Sequence, residues 1–249
     1  MFELIAGPCV IESEQQAFEI ARSLQKICSE LNISLIFKAS FDKANRTELN
    51  SFRGPGLKEG LNILKAIKTE LGLRVTSDIH EPWQAEPAGE VLDMIQIPAL
   101  LCRQTDLLLA AGKTQRIINI KKGQFINPAS MAHAVQKVYS TGNHQIWITE
   151  RGTCFGYDDL VVDFRSFDIL RELDCPIVFD ASHSAKSRKH IETLATAAVS
   201  IGIDALFLEV HPNPEQALSD GKTSVYLAEL PGLLERLMRR SIIGEIRSK

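Results

Sequence analysis

Eight short apolar runs, each followed by a longer amphipathic stretch, predict an α/β protein folded as a (β/α)8 TIM barrel, one domain over residues 1–249. Three observations carry this. The alternation runs along the whole chain without a linker or low-complexity break. A length of 249 residues suits one such barrel. The glycine-rich GxGxxG turn that a doubly wound open sheet usually shows after its first strand is absent.

In chain order the runs are FELIAG, ISLIFKAS, LRVTSDI, MIQIPAL, RIINIKKG, QIWITERG, PIVFDASHS and ALFLEVHP. The last seven have strand length and are rich in Ile, Val, Phe and Thr, whereas the first is assigned by its position. Between the runs lie helical patterns such as SEQQAFEIARSLQKICSEL and LKEGLNILKAIKTELG. The second stops on Gly72, a common helix end. A final helix is expected from near Leu227 through PGLLERLMRR.

Composition narrows the function. The chain is 45% hydrophobic and 24% charged, enough for a large core. A formal net charge of -3 gives no sign of a nucleic-acid or membrane partner. There are five cysteines, an odd number, and none forms a CxxC pair. Reduced thiols and a cytoplasmic location are the expectation. No secretory leader pattern opens the sequence. No apolar run approaches the roughly 20 residues that span a bilayer.

In such barrels the active site lies at the C-terminal ends of the strands. Here those ends offer Cys9, Lys38 with Ser40, Asp78 with His80, Gln96, Lys121 with Lys122, Glu150 with Arg151, Asp180 with His183, and Glu209 with His211. Charges there are costly unless solvated, paired or bound to a ligand. Eight such ends converging on one mouth predict a polar reaction site. Lys38, Lys43, Arg46, Lys121 and Arg151 form a cationic set suited to phosphate or carboxylate esters. Cys9, His183, Glu209 and Asp220 lie on the first, seventh and eighth strand ends and on the loop after the eighth. They could meet around a divalent ion such as Zn2+, Fe2+ or Mn2+. No local spacing motif supports that set, so Cys9 also reads as a buried thiol. Cys28, Cys175, Trp83 and Trp147 read as packing residues.

Seven segments carry a family resemblance: FKASFDKANR, SFRGPG, TSDIHEPWQAEP, QIPALLCRQTDLL, INIKKGQF, TERGTCFGYDDLVVDFRS and EVHPNPEQALSDG. Together they resemble the 3-deoxy-D-manno-octulosonate 8-phosphate synthases over nearly the whole chain. KANR separates these from the related 3-deoxy-heptulosonate 7-phosphate synthases. The resemblance implies condensation of phosphoenolpyruvate with arabinose 5-phosphate and water, a step toward lipopolysaccharide. Two alternatives stay open: the heptulosonate reaction on erythrose 4-phosphate, and an inactive phosphosugar-binding barrel.

The resemblance also implies roles. Lys38, Ser40, Lys43, Lys121 and Arg151 would hold phosphoenolpyruvate, with Gln96 and Ala99 lining its pocket. Asn45, Arg46, Thr47 and Asp78 would contact the sugar phosphate. Arg103 would do so from a neighbouring subunit of a homotetramer. Lys38, Lys43, Asp78, Lys121, Arg151 and His183 would form the catalytic set. Cys in the GPC position marks the metal-dependent branch, with His183, Glu209 and Asp220 as the other ligands. One departure stands out. The resemblance implies a longer glycine-rich loop after DASHS, whereas this sequence passes from His183 almost directly into SRKHIETL. The departure reads as a deletion or as a mobile segment lacking from the sequence, the second being the expectation.

Overall fold

A computed structural model describes residues 2–247. Six parallel strands come first: β1 (Glu3–Gly7), β2 (Leu35–Lys38), β3 (Arg74–Asp78), β4 (Met94–Ile97), β5 (Ile117–Lys121) and β6 (Ile146–Glu150). A hairpin of β7 (Thr153–Phe155) and β8 (Asp159–Val161) interrupts the alternation. Then β9 (Ile177–Asp180) and β10 (Ala205–His211) complete the ring. The hydrogen-bonded order is β1-β2-β3-β4-β5-β6-β9-β10, and β10 pairs back onto β1. The eight staves are the eight runs read from the sequence.

Side chains alternate across each stave and build two apolar layers. Ile5, Ile36, Met94, Val178, Ala205 and Phe207 fill the barrel interior. Their neighbours, such as Leu4, Phe37, Ile95, Ile118 and Phe179, join the larger outer layer beneath the helices. Those helices are α1 (Glu14–Glu30), α2 (Leu57–Leu71), α3 (Ala85–Val91), α4 (Thr105–Lys113), α5 (Met131–Tyr139), α6 (Arg165–Arg171), the short α7 (Ala181–Ala185), α8 (Ile191–Ser200) and α9 (Leu230–Arg247). The Ser13 side chain caps α1 by accepting from the Gln16 N–H at 3.2 Å. Gly72, left-handed at φ 65°, ends α2 as the sequence predicts.

The N-terminal barrel rim uses its acids structurally. Asp93 accepts the Val75 N–H at 2.9 Å, and Asp204 accepts the Ile177 N–H at 2.7 Å. These side chains tie the loops that enter the strands and leave chemistry to the opposite end.

Three sequence expectations need correction. The last helix begins at Leu230, not near Leu227, because Val225–Tyr226 forms a short strand β11 beside the end of β10. The Leu227 N–H donates to the His211 carbonyl at 3.1 Å, which holds that residue outside the helix. Trp83 is 65% exposed and does no packing in the core, whereas Trp147 packs against the barrel interior. The β7–β8 hairpin was not anticipated from its sequence; Gly156, at φ 67°, makes its turn.

Gly7 sets how closely β1 approaches β2. A Cβ there would overlap the carbonyl of Lys38. The backbone of β2 cannot retreat without moving the Lys38 side chain. Gly7→Ala is therefore expected to destabilise the protein by about 1–3 kcal/mol, typical of overpacking. Urea denaturation checks it; an unchanged midpoint would contradict the close contact.

Candidate active site

Strand alternation decides which groups reach the mouth. Lys38, Gln96, Asp180 and Glu209 each stand two residues beyond an interior side chain, and Lys121 stands four beyond Ile117. They crown the apolar interior. A cavity of about 790 Å3 opens above them, and all five members of the cationic set line it. So do Asn45, Thr47, Asp78, Gln96, Ala99, His183 and Asp220.

Most cations are held by acceptors. Lys121 is buried, with Nζ 2.6 Å from Asp180 Oδ2 and 3.9 Å above the centre of the Phe207 ring. Burial draws its pKa down, against the pull of Asp180 and Asp78. Lys38 donates to the Cys9 carbonyl at 2.9 Å and lies 3.6 Å from Glu209 Oε1. Lys43 is half-buried in the loop after β2. Burial opposes its charge, but Cys9, Glu209, Asp78 and Asp220 together outweigh that and raise its pKa. Arg151 differs: its Nη1 is buried and has no hydrogen-bond partner. A guanidinium nitrogen in that condition is a prepared anion contact.

Asp78 ends a ladder of hydrogen bonds inside the barrel. Thr149 Oγ1 donates to Asn119 Oδ1 at 2.7 Å, and Asn119 Nδ2 donates to Gln96 Oε1 at 3.2 Å. Gln96 Nε2 donates to Asp78 Oδ1, and Ser40 Oγ donates to Asp78 Oδ2 at 2.6 Å. Ser40 itself lies behind Asp78, fully buried. Burial alone would raise the Asp78 pKa, but Lys38, Lys43 and Lys121 overcome it and hold the carboxyl well below the usual range.

Three of the four expected metal ligands cluster tightly, and His183 stands beside them. Cys9 Sγ, a Glu209 oxygen and an Asp220 oxygen fall within 4.8 Å of one another. His183 Nε2 approaches Glu209 Oε1 at 3.4 Å from the side. Glu209 is fully buried, and neither carboxylate oxygen has a hydrogen-bond partner. A carboxylate so placed is costly unless a cation answers it, and beside the Lys38 ammonium at 3.6 Å both oxygens still have room to accept. Thiolate, imidazole and carboxylates at this spacing suit a divalent ion bound at about 2.0–2.3 Å. Burial, then Glu209, push the Cys9 pKa up. Its Sγ contacts Asp220 Oδ2 at 2.9 Å and Ser219 Oγ at 3.1 Å. Burial opposes Asp220 ionisation, but Lys43 and the Cys9 contact draw its pKa down to about 2. The His183 Nδ1 is taken by Asp180 Oδ2 at 2.7 Å, leaving Nε2 free to face an ion.

Arg103 is not brought to this cavity. It is exposed and lines a second one of about 450 Å3 with His133 and Lys137. Lys122 and Glu150, read from the sequence as mouth residues, point instead to the outside of the barrel by strand alternation. Several contributors escaped sequence reading. Asn119 and Thr149 each sit two residues before a mouth cation on the same strand face, a signal that was available. Ser219 was not signalled; it accepts from Arg46 Nη1 at 2.6 Å and so ties the loop of Arg46 to Asp220.

After His183 the chain turns at Lys186, left-handed at φ 51°, and enters α8 through Ser187 and a single turn at Arg188–His190. Arg188 Nε donates to the Ser224 carbonyl at 2.6 Å, and Nη2 donates to the Gly221 carbonyl at 2.8 Å. The short join is thus stitched to the Asp220 loop.

Asp78 gives a pH signature. Its lowered pKa means that its contribution to stability is complete above the ordinary value of 3.8 and fades as pH falls below it. Asp78→Asn should therefore be less stable than the parent chain at pH 7, with the gap shrinking by up to about 1.4 kcal/mol per pH unit below pH 4. Urea melts from pH 7 to pH 3 measure this. A gap independent of pH would show that the carboxylate is not held ionised by its lysines.

Known proteins resemble this chain in sequence. The chain matches the family described as DAHP synthetase I over residues 1–241. It is 52% identical over 246 residues to the 2-dehydro-3-deoxyphosphooctonate aldolase of Syntrophotalea carbinolica, covering 94% of this chain and 89% of that one. The protein of the same name from Geotalea daltonii is 55% identical over 245 residues, covering 94% and 90%. That from a Synechococcus strain is 52% identical over 254 residues, covering 97% and 89%. The 246 aligned positions of the first cover only 94% of 249 residues, so about a dozen of its positions have no counterpart here. With this similarity along its length, on a barrel whose C-terminal mouth gathers five cations and a thiol–carboxylate cluster, the chain belongs to the DAHP synthetase I family.

Proposed function

We propose that this single barrel domain condenses phosphoenolpyruvate with D-arabinose 5-phosphate and water. The products are 3-deoxy-D-manno-octulosonate 8-phosphate and inorganic phosphate, in lipopolysaccharide biosynthesis. The observation that carries the reading is the convergence of five cations on one cavity beside the Asp78 carboxyl, in a chain more than half identical to named octulosonate aldolases. Two substrates with several negative charges between them need that many cations.

Lys38, Lys43, Lys121 and Arg151 hold the phosphate and carboxylate of phosphoenolpyruvate, with Ser40, Gln96 and Ala99 shaping its pocket. Asn45, Arg46, Thr47 and Asp78 receive the sugar phosphate. Fixing both substrates together supplies proximity, and the cations stabilise charge that develops in the transition state. C3 of the enol then bonds to the aldehyde carbon, whose oxygen takes up a proton. Water adds at C2 and loses a proton. The tetrahedral hemiketal phosphate collapses with cleavage of its C–O bond to phosphate, leaving the ketone. Lys121 and Arg151 hold the departing phosphate. Cys9, His183, Glu209 and Asp220 would hold Zn2+, Fe2+ or Mn2+, which when bound supplies Lewis-acid or templating chemistry.

Arg103 would act in a neighbouring copy's cavity within a homotetramer, in keeping with its absence from its own. A cytoplasmic location is supported by five free cysteines, and no helix among the described residues is long and apolar enough to cross a membrane. No nucleic-acid partner is proposed.

Phosphate release decides the substrate. The protein should release phosphate from phosphoenolpyruvate with arabinose 5-phosphate and show little turnover with erythrose 4-phosphate. The reverse preference would assign the heptulosonate reaction, and no turnover with either would leave a binding protein. Metal dependence is tested separately. A chelator should abolish turnover, and added divalent ion should restore it. Cys9→Ser should weaken Co2+ binding by at least about 100-fold, the scale on which lost metal-site contacts act. Calorimetric titration with Co2+ reads the affinity, and the thiolate charge-transfer band of the parent protein should be missing from the variant. Unchanged binding would remove Cys9 from the ligand set.

A further inference from the structure

We infer that Lys122 and Glu150, a buried ion pair outside the barrel, are positioning residues for the anion contacts of Lys121 and Arg151. The inference rests on the proposed reading that those two cations hold phosphoenolpyruvate. Along the end of β5, Lys121 points in and Lys122 out. One strand over, Glu150 points out and Arg151 in. Each mouth cation therefore has a charged chain neighbour on the reverse face, and the two neighbours meet. Lys122 and Glu150 are both fully buried, and Nζ lies 3.5 Å from Oε1.

What the pair touches matters more than its own attraction. Glu150 Oε1 accepts the Gly152 N–H at 2.7 Å, and Lys122 Nζ donates to the Gly152 carbonyl at 3.2 Å. The residue immediately after Arg151 is thus gripped at both its N–H and its C=O. Gly152 sits at φ 91°, a conformation that L side chains rarely adopt, so this grip fixes a backbone bend that only glycine takes readily. Lys122 Nζ also donates to the Gly123 carbonyl at 3.3 Å, just beyond Lys121. Its backbone N–H donates to the Thr149 carbonyl at 2.8 Å, and Ser166 Oγ donates to Glu150 Oε2 at 3.0 Å. Both loop starts are tied to one buried charge pair.

Arg151 depends on this more than Lys121 does. Lys121 has Asp180 to hold its ammonium group at 2.6 Å. The Arg151 guanidinium makes no hydrogen bond among the described residues, and its Nη1 is buried without a partner. Its place is inherited from its backbone, and that backbone is held by Glu150 and Lys122. A buried ion pair is a poor device for stability alone, because apolar residues of similar volume often serve as well. Apolar residues could not grip an N–H and two carbonyls at once.

The test compares the full-length protein with Glu150→Gln, Lys122→Met and the double variant K122M/E150L. Calorimetry gives the Kd of phosphoenolpyruvate, steady-state kinetics give KM and kcat for both substrates, and a thermal melt reports folding. The expected result is a Kd and KM for phosphoenolpyruvate raised about tenfold or more, the scale on which misplaced substrate contacts act. The KM for arabinose 5-phosphate should stay within about threefold, while kcat falls along with phosphoenolpyruvate affinity, because the same two cations hold the departing phosphate. A purely structural role would lower the melting point and leave the Kd of the folded protein alone. A phosphoenolpyruvate Kd within about twofold of the parent value would overturn the inference. If either single variant fails to fold, the double variant, which leaves no unpaired buried charge, decides by the same measurement. Should the parent protein bind no phosphoenolpyruvate, the functional reading fails and takes the inference with it.

Discussion

The Asp180 carboxylate is the contact on which the site depends. One of its oxygens receives both Lys121 Nζ at 2.6 Å and His183 Nδ1 at 2.7 Å. Its other oxygen accepts the His183 backbone N–H at 2.9 Å and caps the short α7. Burial opposes ionisation of a group this deep, yet His183 and Lys121 outweigh it and hold the carboxyl far below its ordinary pKa. The same atom thereby fixes the Lys121 ammonium on β5 and orients an imidazole toward the thiol–carboxylate cluster. Without it Lys121 would be a buried charge lacking a direct carboxylate partner, and such a charge neutralises or moves. The two halves of the mouth, the cationic set and the thiol–carboxylate cluster, share this joint.

The barrel was legible because its signal is redundant. Eight β-branched runs each announce a strand, and an error in one, such as the weak first run, is corrected by its place in the count. The mouth followed from order alone, since parallel strands send all their C-terminal ends one way. Placing Lys38, Lys121 and Arg151 around one cavity needed nothing beyond that. What the sequence left open was inside against outside at strand ends. Lys121 and Lys122 are identical letters, and only the pleat separates a cavity wall from a buried pair. The same ambiguity concealed Asn119 and Thr149, whose polar side chains read as ordinary strand residues until the barrel places them beside Gln96.

Cys9 shows another limit. Composition made it a small apolar filler, and the fold confirms that it is buried. Burial and ligation do not exclude each other, however. The thiol lies 2.9 Å from an Asp220 oxygen more than two hundred residues away in the chain, a closeness that no local pattern encodes. Gly7 helps to make it possible, since β1 must run against the Lys38 backbone before Cys9 turns toward the mouth. The β7–β8 hairpin and β11 were missed for a related reason. Both are short: a turn supplies the hairpin's pairing, and β11 pairs in parallel with the end of β10 across a long irregular connection.

The ladder from Thr149 to Asp78 has an electrical consequence. A carboxylate can only accept, so Gln96 must turn its amide nitrogens toward Asp78 and its carbonyl toward Asn119. Asn119 must then present its carbonyl to Thr149. The sense of each rung is dictated by the charge at the end, and no member can flip alone. The amide dipoles therefore add head to tail, with their positive ends toward Asp78, as peptide dipoles add along a helix. Four adjacent staves, β3 to β6, thus share one polarised circuit, and the inner wall of the barrel carries a permanent electrical direction before any substrate arrives.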